Sequence, residues 1–157
     1  MGMVKNNLVK NDDRIVVRGL RDVAAAETKI SYVNPNGKLY YLGYDIDDLV
    51  EYVCYEEIVH LLLYNELPSK RELDALRSLL ISEMHLPNAV IESIKSTPLS
   101  VHPMDVLRTV VSHLSYFDPN LSDHSETTNK KRAIQLIAKV PTIVAAIHRI
   151  RANQQIL

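Results

Sequence analysis

Apolar residues are most densely grouped between residues 133 and 151, near the end of the chain. On a helical wheel at about 100° per residue, the apolar side chains of this segment spread over roughly 240°. The polar strip opposite is narrow and consists of Gln135, Lys139, Thr142 and Arg149, with the small Ala146 among them. A surface helix needs a narrower apolar face, so the pattern predicts a central or interface helix. We expect it to be covered by a partner chain or by a missing continuation of this chain.

The start and the interior of this helix each carry a local signal. Residues 123–129 are polar, and Asp123 followed by Glu126 has the spacing of a helix cap and its partner. Pro141 lies in the interior, where proline removes a backbone hydrogen bond and crowds the preceding turn. The sequence therefore predicts a kink or a local break at Pro141. Two interpretations stay open: packing tolerates the proline, or the proline bends the helix to fit a curved interface.

Upstream of the helices, alternating residues predict one small β-hairpin. Two β-prone runs, 29–33 and 39–42, flank an Asn-Pro-Asn-Gly turn at 34–37. Asn-Gly is a strong turn signal, and glycine adopts the positive φ of such a turn at little cost. We therefore expect the turn to depend on Gly37. Further on, the Asp45 side chain is placed to cap a short helix.

Helical spacing of apolar residues dominates the rest of the chain. The predicted helices are 45–52, 55–64, 69–84, 87–94 and 103–116, followed by the long helix. Ser69 and Glu72 form a capping-box pair at the start of the third helix. The buried stripe predicted for that helix consists of Leu73, Leu76, Leu79, Leu80 and Met84. The predicted fold class is mainly α with a small N-terminal β-hairpin. We divide the chain into a flexible arm, 1–13, and one domain, 14–157.

Composition excludes several classes of function. The 157 residues are 46% hydrophobic and 24% charged, with a formal net charge of −1. Basic residues are dispersed, whereas a nucleic-acid surface requires clustered positive charge. The single cysteine, Cys54, allows no intrachain disulfide and no cysteine-based metal site. No apolar run approaches the length of a membrane span, and the polar start is no targeting segment. We expect a cytoplasmic protein without nucleic-acid or membrane partners.

Candidate chemistry is sparse in this sequence. The six histidines lack the paired spacing of a helical metal site, so we predict no metal. We expect His148 to be a buried neutral imidazole bonded to backbone, and His102 to satisfy backbone groups at a helix start. The adjacent pairs Asp47-Asp48 and Glu56-Glu57 point about 100° apart on a helix, which indicates solvated faces and no acid/base dyad. The four glycines form no phosphate-binding loop.

Four stretches, in order, resemble the opening part of the citrate synthase family. They are GLRDVAAAETKISYVNPNGKLYYLGYDIDDL from Gly19 to Leu49, HLLLYNELPSKREL from His60 to Leu73, HPMDVLRT from His102 to Thr109, and AKVPTIVAAIHR from Ala138 to Arg149. The resemblance covers about residues 15–151. It implies the N-terminal part of the helical large domain of that family. It also implies a homodimer whose interface includes the counterpart of the 133–151 helix.

The resemblance implies an acyltransferase that condenses acetyl-CoA with oxaloacetate to citrate and CoA. The two histidines and the aspartate that catalyse this reaction in the family lie in blocks that would follow Leu157, and this sequence contains none of those blocks. We therefore assign no catalytic residue, and we expect the chain alone to be inactive. Arg18 and Arg21 could face a CoA phosphate, but solvated side chains are the favoured interpretation. Cofactor-binding residues stay unassigned.

Two alternatives to this function stay open. One is 2-methylcitrate synthase, which uses propanoyl-CoA and shares the same sequence blocks. The other is a non-catalytic, truncated or split product that persists as a helical interaction module. If the protein is an enzyme, the family resemblance implies small-molecule substrates with acetyl-CoA as the co-substrate. We expect this chain to hold no cofactor. The long helix would then bind a second copy or the missing C-terminal part.

Overall fold

A computed structural model of the chain describes residues 8–11, 14–17 and 27–156. Within these ranges, short strands precede a set of helices. The strands are β1 (Leu8–Asn11), β2 (Arg14–Val17), β3 (Ser31–Val33), β4 (Leu39–Tyr41) and β5 (Tyr44–Asp45). The helices are α1 (Ile46–Tyr52), α2 (Tyr55–Tyr64), α3 (Lys70–Glu83), α4 (Asn88–Lys95), α5 (Pro103–His113) and α6 (Glu126–Arg151), with a 3-10 turn at Leu114–Phe117. The predicted fold class, mainly α with a small N-terminal β-hairpin, is confirmed.

The first two strands form a separate antiparallel pair. β1 lies within the segment 1–13 that the sequence predicts to be a flexible arm, so four residues of that segment have regular structure. A strand of four residues carries too little alternation to be recognised from the pattern alone. Residues 1–7, 12 and 13 lie outside the described part. The division of the chain into 1–13 and 14–157 therefore stays a prediction.

The predicted hairpin is confirmed by β3 and β4, which pair in antiparallel register. The Asn34 carbonyl accepts a hydrogen bond from the N–H of Gly37 at 2.9 Å, and its side-chain Oδ1 accepts from the N–H groups of Asn36 and Lys38, each at 2.9 Å. Gly37 has φ of 83°, the positive value expected for this turn. A second glycine with positive φ, Gly43, reverses the chain again and allows β5 to pair with β4. The hairpin is therefore part of a three-stranded sheet, β3-β4-β5.

Side-chain caps explain why the first helices begin where the sequence predicts. Asp45 accepts a hydrogen bond from an N–H of the first turn of α1 at 3.1 Å. At the start of α3, the Glu72 carboxylate accepts from the N–H of Ser69 at 2.8 Å, and the Ser69 hydroxyl accepts from the N–H of Glu72 at 3.4 Å. α5 ends at His113, earlier than the predicted residue 116, because the chain tightens there into the 3-10 turn.

The long helix α6 begins earlier than the predicted segment 133–151. Its cap is Ser125, whose hydroxyl accepts a hydrogen bond from the N–H of Thr128 at 3.4 Å. The prediction that Asp123 is the cap is therefore wrong. Asp123 instead supports the cap, because its Oδ1 accepts from the N–H of Ser125 at 2.9 Å and its Oδ2 accepts from the Thr128 hydroxyl at 2.6 Å. About two turns of polar sequence, residues 126–132, thus belong to the helix itself.

Pro141 does not interrupt α6, which is continuous from Glu126 to Arg151. The predicted local break is therefore wrong. The helix packs against α3, α4 and α5, and these tertiary contacts stabilise a conformation that proline disfavours locally. Pro141 itself is exposed, so its ring occupies the side of the helix that the described chain leaves open.

The core lies around α6, as predicted for a central helix. One cluster of buried side chains joins it to α4 and α5: Leu86, Val90, Ile94, Val106, Val110, Ile143, Ala146 and Ile147. A second cluster joins it to α2 and α3: Val59, Leu76, Leu80, Ile134 and Ala138. α6 therefore contributes buried side chains to both of these clusters, and Leu49 and Leu61 are further buried side chains of the described part.

The buried faces of α3 and α6 differ from the faces that the sequence predicts to be buried. On α3, Leu76 and Leu80 are buried, but Leu79 is 43% and Met84 is 45% exposed, so the buried stripe is narrower than predicted. On α6, Ala146 belongs to the core with 2% exposure, although the wheel places it in the polar strip. A small side chain there lets the neighbouring helices pack closely against α6. The covered side of α6 is therefore rotated relative to the predicted one.

Candidate functional site

One side of α6 is left open by the described part of the chain. Pro141, Val144, Ala145 and His148 are exposed there, and Val144 retains 49% of its accessible surface. Residues spaced by three, four and seven lie in one line along a helix. We name these four residues the α6 stripe. The chain thus covers one side of this apolar helix and leaves a mostly apolar line on the other.

Two apolar clefts flank the α6 stripe. The first, of about 250 Å³, lies between α2, α3 and α6, and its exposed apolar side chains are Tyr55, Ile81 and Met84 at 66%, 67% and 45%. The second, of about 230 Å³, lies between α5 and α6 and is lined by Met104, which is 61% exposed, and Leu107. We name the stripe and both clefts together the α6 surface. Contiguous exposed apolar patches mark sites that bind another protein, a membrane or a ligand.

The α6 surface carries few charges. In the first cleft, the Glu56 carboxylate lies 3.5 Å from the Arg77 guanidinium, and the two charges neutralise each other. In the second cleft, Arg151 donates a hydrogen bond to the Val101 carbonyl. His148 lies beside Arg151 in this cleft and is the one histidine of the surface. The surface is therefore suited to contact with another weakly charged surface.

The adjacent carboxylates Glu56 and Glu57 are half-buried, so the prediction of a solvated face is wrong for this pair. Glu57 accepts a hydrogen bond from the N–H of Cys54 at 2.8 Å, which stabilises the start of α2 and lowers the pKa of its carboxyl. Burial raises the pKa of the Cys54 thiol, whose sulfur lies 3.4 Å from an Arg77 nitrogen. A protonated thiol is a weak nucleophile. This group therefore holds a helix start and does not form an acid/base site.

His148, His102 and His60 lie on different elements, and the last two hydrogen-bond to backbone groups. The prediction that His148 is buried is wrong, because the side of α6 that carries it is the uncovered one. The prediction for His102 is confirmed, since its Nδ1 accepts a hydrogen bond from the N–H of Met104 at 3.2 Å. His60, which sequence reasoning missed, is 6% exposed and its Nδ1 donates to the Glu66 carbonyl at 2.8 Å. No sequence pattern indicated this contact between α2 and the following loop.

A third cleft, of about 240 Å³, opens between the 3-10 turn and α6. Arg132 fixes the loop beside it: Nε donates to Asp118 at 2.6 Å, and the terminal nitrogens donate to the carbonyls of Asp123 and Asn120 at 2.6 and 2.5 Å. The hydrogen bond from Arg132 lowers the pKa of the Asp118 carboxyl. Because this guanidinium is engaged with the loop, the arginine has a structural role here.

The candidate acid/base and metal groups do not assemble. Within the ranges 8–11, 14–17 and 27–156, no three His, Cys, Asp or Glu side chains are placed to hold a metal ion. Asp47 and Asp48 are exposed on α1, as predicted. Arg18 and Arg21 lie outside the described residues. The α6 surface therefore remains a candidate site in the described part of the chain.

By length and composition alone, α6 also qualifies as a membrane span, with a mean hydropathy of 1.4 over 18 residues. The expectation that no apolar run approaches this length is corrected accordingly. The helix nevertheless packs against α3, α4 and α5, and its first turns carry Glu126, Lys130 and Arg132. The core helix of a soluble domain meets the same criteria. Within the described chain 28% of that window is buried, so intramolecular packing accounts for only part of its apolar character.

Comparison with known proteins identifies the family. A family model described as "Citrate synthase, C-terminal domain" matches residues 19–157. The chain belongs to the citrate synthase family. Citrate synthase 2 of Bacillus subtilis is 44% identical over 135 residues, which are 85% of this chain and 36% of that protein. The citrate/2-methylcitrate synthase of the same organism is 41% identical over 133 residues, 84% of this chain and 36% of that protein. The resemblance of the four sequence stretches is thus confirmed.

Solved structures of citrate synthases agree with the fold. The citrate synthase of Pyrobaculum aerophilum superposes with a TM-score of 0.86 at 28% identity, covering 100% of this chain and 42% of that one. The Thermoplasma acidophilum citrate synthase, solved with carboxymethyl coenzyme A and oxaloacetate, has a TM-score of 0.80 over 87% of this chain and 36% of that one. Because the two sequences are only 22% identical, this similarity concerns the fold alone. The chain spans little more than a third of the length of its curated relatives.

Proposed function

We propose that the chain is the N-terminal part of a citrate synthase-like acyltransferase, which condenses acetyl-CoA with oxaloacetate to citrate and CoA. The observation that carries the proposal is the 44% identity with Citrate synthase 2 over 85% of this chain. The chain covers 36% of that relative, so the proposed reaction belongs to the whole protein. The proposed location is the cytoplasm, with which the single free thiol of Cys54 agrees.

The proposed reaction needs groups that residues 8–11, 14–17 and 27–156 do not bring together. A base must remove the α-proton of acetyl-CoA, and a second group must stabilise the enolate-like oxygen within hydrogen-bond reach. Glu57 and His102 hold helix starts, and His60 holds a loop carbonyl. We therefore propose that the 157 residues alone are inactive and serve as the helical scaffold for the segments that carry catalysis.

A second substrate is supported by the names of other relatives. The citrate/2-methylcitrate synthase of Bacillus subtilis is 41% identical, and 2-methylcitrate synthase 1 of Corynebacterium glutamicum is 36% identical. Propanoyl-CoA is therefore the alternative to acetyl-CoA. A substrate difference of one methylene depends on the shape of the acyl pocket. The assay below includes both acyl-CoAs for this reason.

The function is tested by following the release of the CoA thiol in the presence of oxaloacetate. We expect no turnover from the 157-residue chain with either acyl-CoA, and turnover when the remaining part of a relative such as Citrate synthase 2 is added. The relative's remaining part alone is the control. Steady turnover proportional to the concentration of the 157-residue chain would contradict the proposed inactivity. A mixture that binds tightly but never turns over would favour the second candidate, a non-catalytic interaction module.

We further propose that a second copy of this chain covers the α6 surface. The surface is mostly apolar, its Glu56 and Arg77 charges are paired with each other, and Arg151 is engaged with the Val101 carbonyl, so few charges oppose contact between two identical surfaces. A ridge between two clefts also suits a two-fold contact, in which each α6 stripe lies along the other. Val144 would lie near the middle of this contact, since it lines the second cleft and belongs to the stripe. Coverage by the C-terminal part of the same protein is the alternative occupant.

A further inference from the structure

We propose that Asn36 is a site of spontaneous modification, at which the chain converts its own carboxamide to a carboxylate. The backbone nitrogen of Gly37 loses its proton and attacks the side-chain carbonyl carbon of Asn36. The new C–N bond closes a five-membered succinimide ring, and the amide group takes up a proton and leaves as ammonia. Water then opens one of the two ring C–N bonds, which gives aspartate or isoaspartate. Water is the only co-reactant, so the inference is independent of the proposed condensation reaction.

The residue that follows Asn36 leaves the attacking nitrogen unobstructed. The sequence contains ten asparagines, and only Asn36 is followed by glycine. Glycine has no Cβ, so no side chain hinders the approach of its nitrogen to the carboxamide. Asn34, two residues earlier, is followed by Pro35, whose nitrogen carries no proton to lose. The sequence therefore favours Asn36 over the other asparagines for this reaction.

The structure leaves the Asn36 carboxamide without a partner in the turn. Asn36 and Gly37 are exposed at the tip of the β3–β4 hairpin, and an added Cβ at Gly37 would meet no atom within 4 Å. The carboxamide oxygen of Asn34 accepts from the N–H groups of Asn36 and Lys38. Among the described residues, no hydrogen bond engages the carboxamide of Asn36 itself. Water therefore reaches this group, and no partner has to be displaced before the ring closes.

One backbone hydrogen bond restrains the reaction in the folded hairpin. The Gly37 nitrogen donates to the Asn34 carbonyl at 2.9 Å, and it has to give up this contact before it can attack. The N–H of Asn34 donates to the Lys38 carbonyl, also at 2.9 Å, and closes the same turn. The sheet around it is small, because β3 and β4 have three residues each and β5 has two. Such a sheet opens locally at less cost than global unfolding, so the rate of modification follows the fraction of open hairpin.

The two products differ in their effect on the turn. Aspartate keeps the backbone and adds a negative charge at the exposed tip, two positions before Lys38. Isoaspartate routes the main chain through the former side chain, which inserts an extra carbon atom ahead of Gly37. The bond from Gly37 to Asn34 closes a turn of only four residues, so the extra atom disrupts it. The closing bond of the hairpin is therefore lost in a fraction of chains that grows with time.

Timed incubation of the full chain at pH 8.5, where removal of the amide proton is faster, tests the inference by mass spectrometry. Trypsin releases residues 30–38 as one peptide, because Lys29 and Lys38 bound it. Digestion in heavy-oxygen water separates products formed earlier from those formed during digestion. The matched control is Asn36→Gln, whose longer side chain would have to close a six-membered ring. We expect conversion at Asn36 in the wild type and none at position 36 of the control over the same time.

The variant Asn34→Ala tests the restraint that the turn imposes. It removes both hydrogen bonds to the Asn34 Oδ1, so we expect a larger open fraction and conversion at Asn36 about 10-fold faster. The wild type unfolded in urea should be converted faster than the folded chain. Circular dichroism verifies that the variant is folded. Amide hydrogen exchange at Gly37 measures the open fraction in the wild type itself, and the rate of conversion should equal the urea rate multiplied by this fraction.

Each contrary result overturns a defined part of the inference. A folded wild type that shows no conversion at Asn36, while the urea-unfolded chain is converted, overturns the site in the native protein. Conversion at the other asparagines at the same rate as at Asn36 overturns its selectivity. The role of the turn is overturned by equal rates in the folded and unfolded chains, or by a folded Asn34→Ala variant that reacts no faster than the wild type.

Discussion

Two neighbouring residues of α6 provide a sharp test of which side of the helix is covered. Ile143 is fully buried, and it packs in the cluster that joins α6 to α4 and α5. Val144, the next residue, is 49% exposed. Replacing each with alanine removes buried apolar atoms in one case and partly exposed atoms in the other. The two variants should therefore differ strongly in stability although their positions are adjacent.

The expected magnitudes follow from burial. Replacing a buried isoleucine with alanine costs about 2–5 kcal/mol, because the transfer free energy is lost and a cavity remains. Because Ile143 has no exposed surface and neighbours on two other helices, we expect about 3–4 kcal/mol. A partly exposed surface position such as Val144 should change the free energy of unfolding by about 0.5 kcal/mol. For a chain of this length, 1 kcal/mol corresponds to about 2–4 °C in Tm.

Thermal unfolding followed by circular dichroism measures both changes. The measurement is made at a concentration at which sedimentation shows single chains, so that assembly does not contribute. We expect Ile143→Ala to lower Tm by about 6–16 °C and Val144→Ala to lower it by about 2 °C or less. Equal losses for the two variants would refute the assignment of the covered side. A larger loss for Val144→Ala would place the core on the opposite face of α6.

Two further predictions concern a turn and an ion pair. Gly37→Val should lower the free energy of unfolding by about 1–2 kcal/mol, because Gly37 has φ of 83°, which strains a side chain even though an added Cβ would meet no atom within 4 Å. Thermal unfolding measures the loss, and an unchanged Tm would contradict it. Lys139→Met should cost about 1–3 kcal/mol at pH 7, since Lys139 lies 2.9 Å from the Glu83 carboxylate and donates to the Glu83 carbonyl at 2.6 Å. The Lys139 hydrogen bond lowers the pKa of Glu83, so this stabilisation is present above about pH 4.3 and is lost as the pH falls through the folded-state pKa. Urea unfolding at pH 7 and pH 3 should show the difference between wild type and variant shrink in acid, whereas a constant difference would contradict the sign.

Local signals predicted most of the fold. Asp45 and the pair Ser69 and Glu72 act over two or three residues, and their hydrogen bonds form as their spacing requires. The hairpin was predictable for the same reason, since Asn34 bonds only within its own turn. The family resemblance likewise rested on contiguous stretches. Helix caps and tight turns can therefore be predicted from the sequence, because their hydrogen bonds join residues that are close together in the chain.

The errors arise where distant segments meet. The helical wheel predicts the apolar circumference of α6 but not which part of it the same chain covers, so it predicts a buried His148, whereas the side chain is exposed. Pro141 predicted a break that tertiary packing prevents. Lys139 pairs with Glu83, a residue 56 positions away, and no local pattern links them. These contacts require the fold before they can be assigned.

The role of the α6 surface in assembly is tested most directly by the molar mass of the wild-type chain and of Val144→Glu. Sedimentation equilibrium at pH 7.5 measures both across a range of concentrations. We predict that the wild type reaches twice the mass of one chain and that the variant, which places a charge in the α6 stripe, stays a single folded chain. The matched control is Leu99→Glu, an exposed position outside the α6 surface that should assemble like the wild type. A wild type that remains a single chain at every concentration, or a Val144→Glu variant that pairs as tightly as the wild type, would contradict the account.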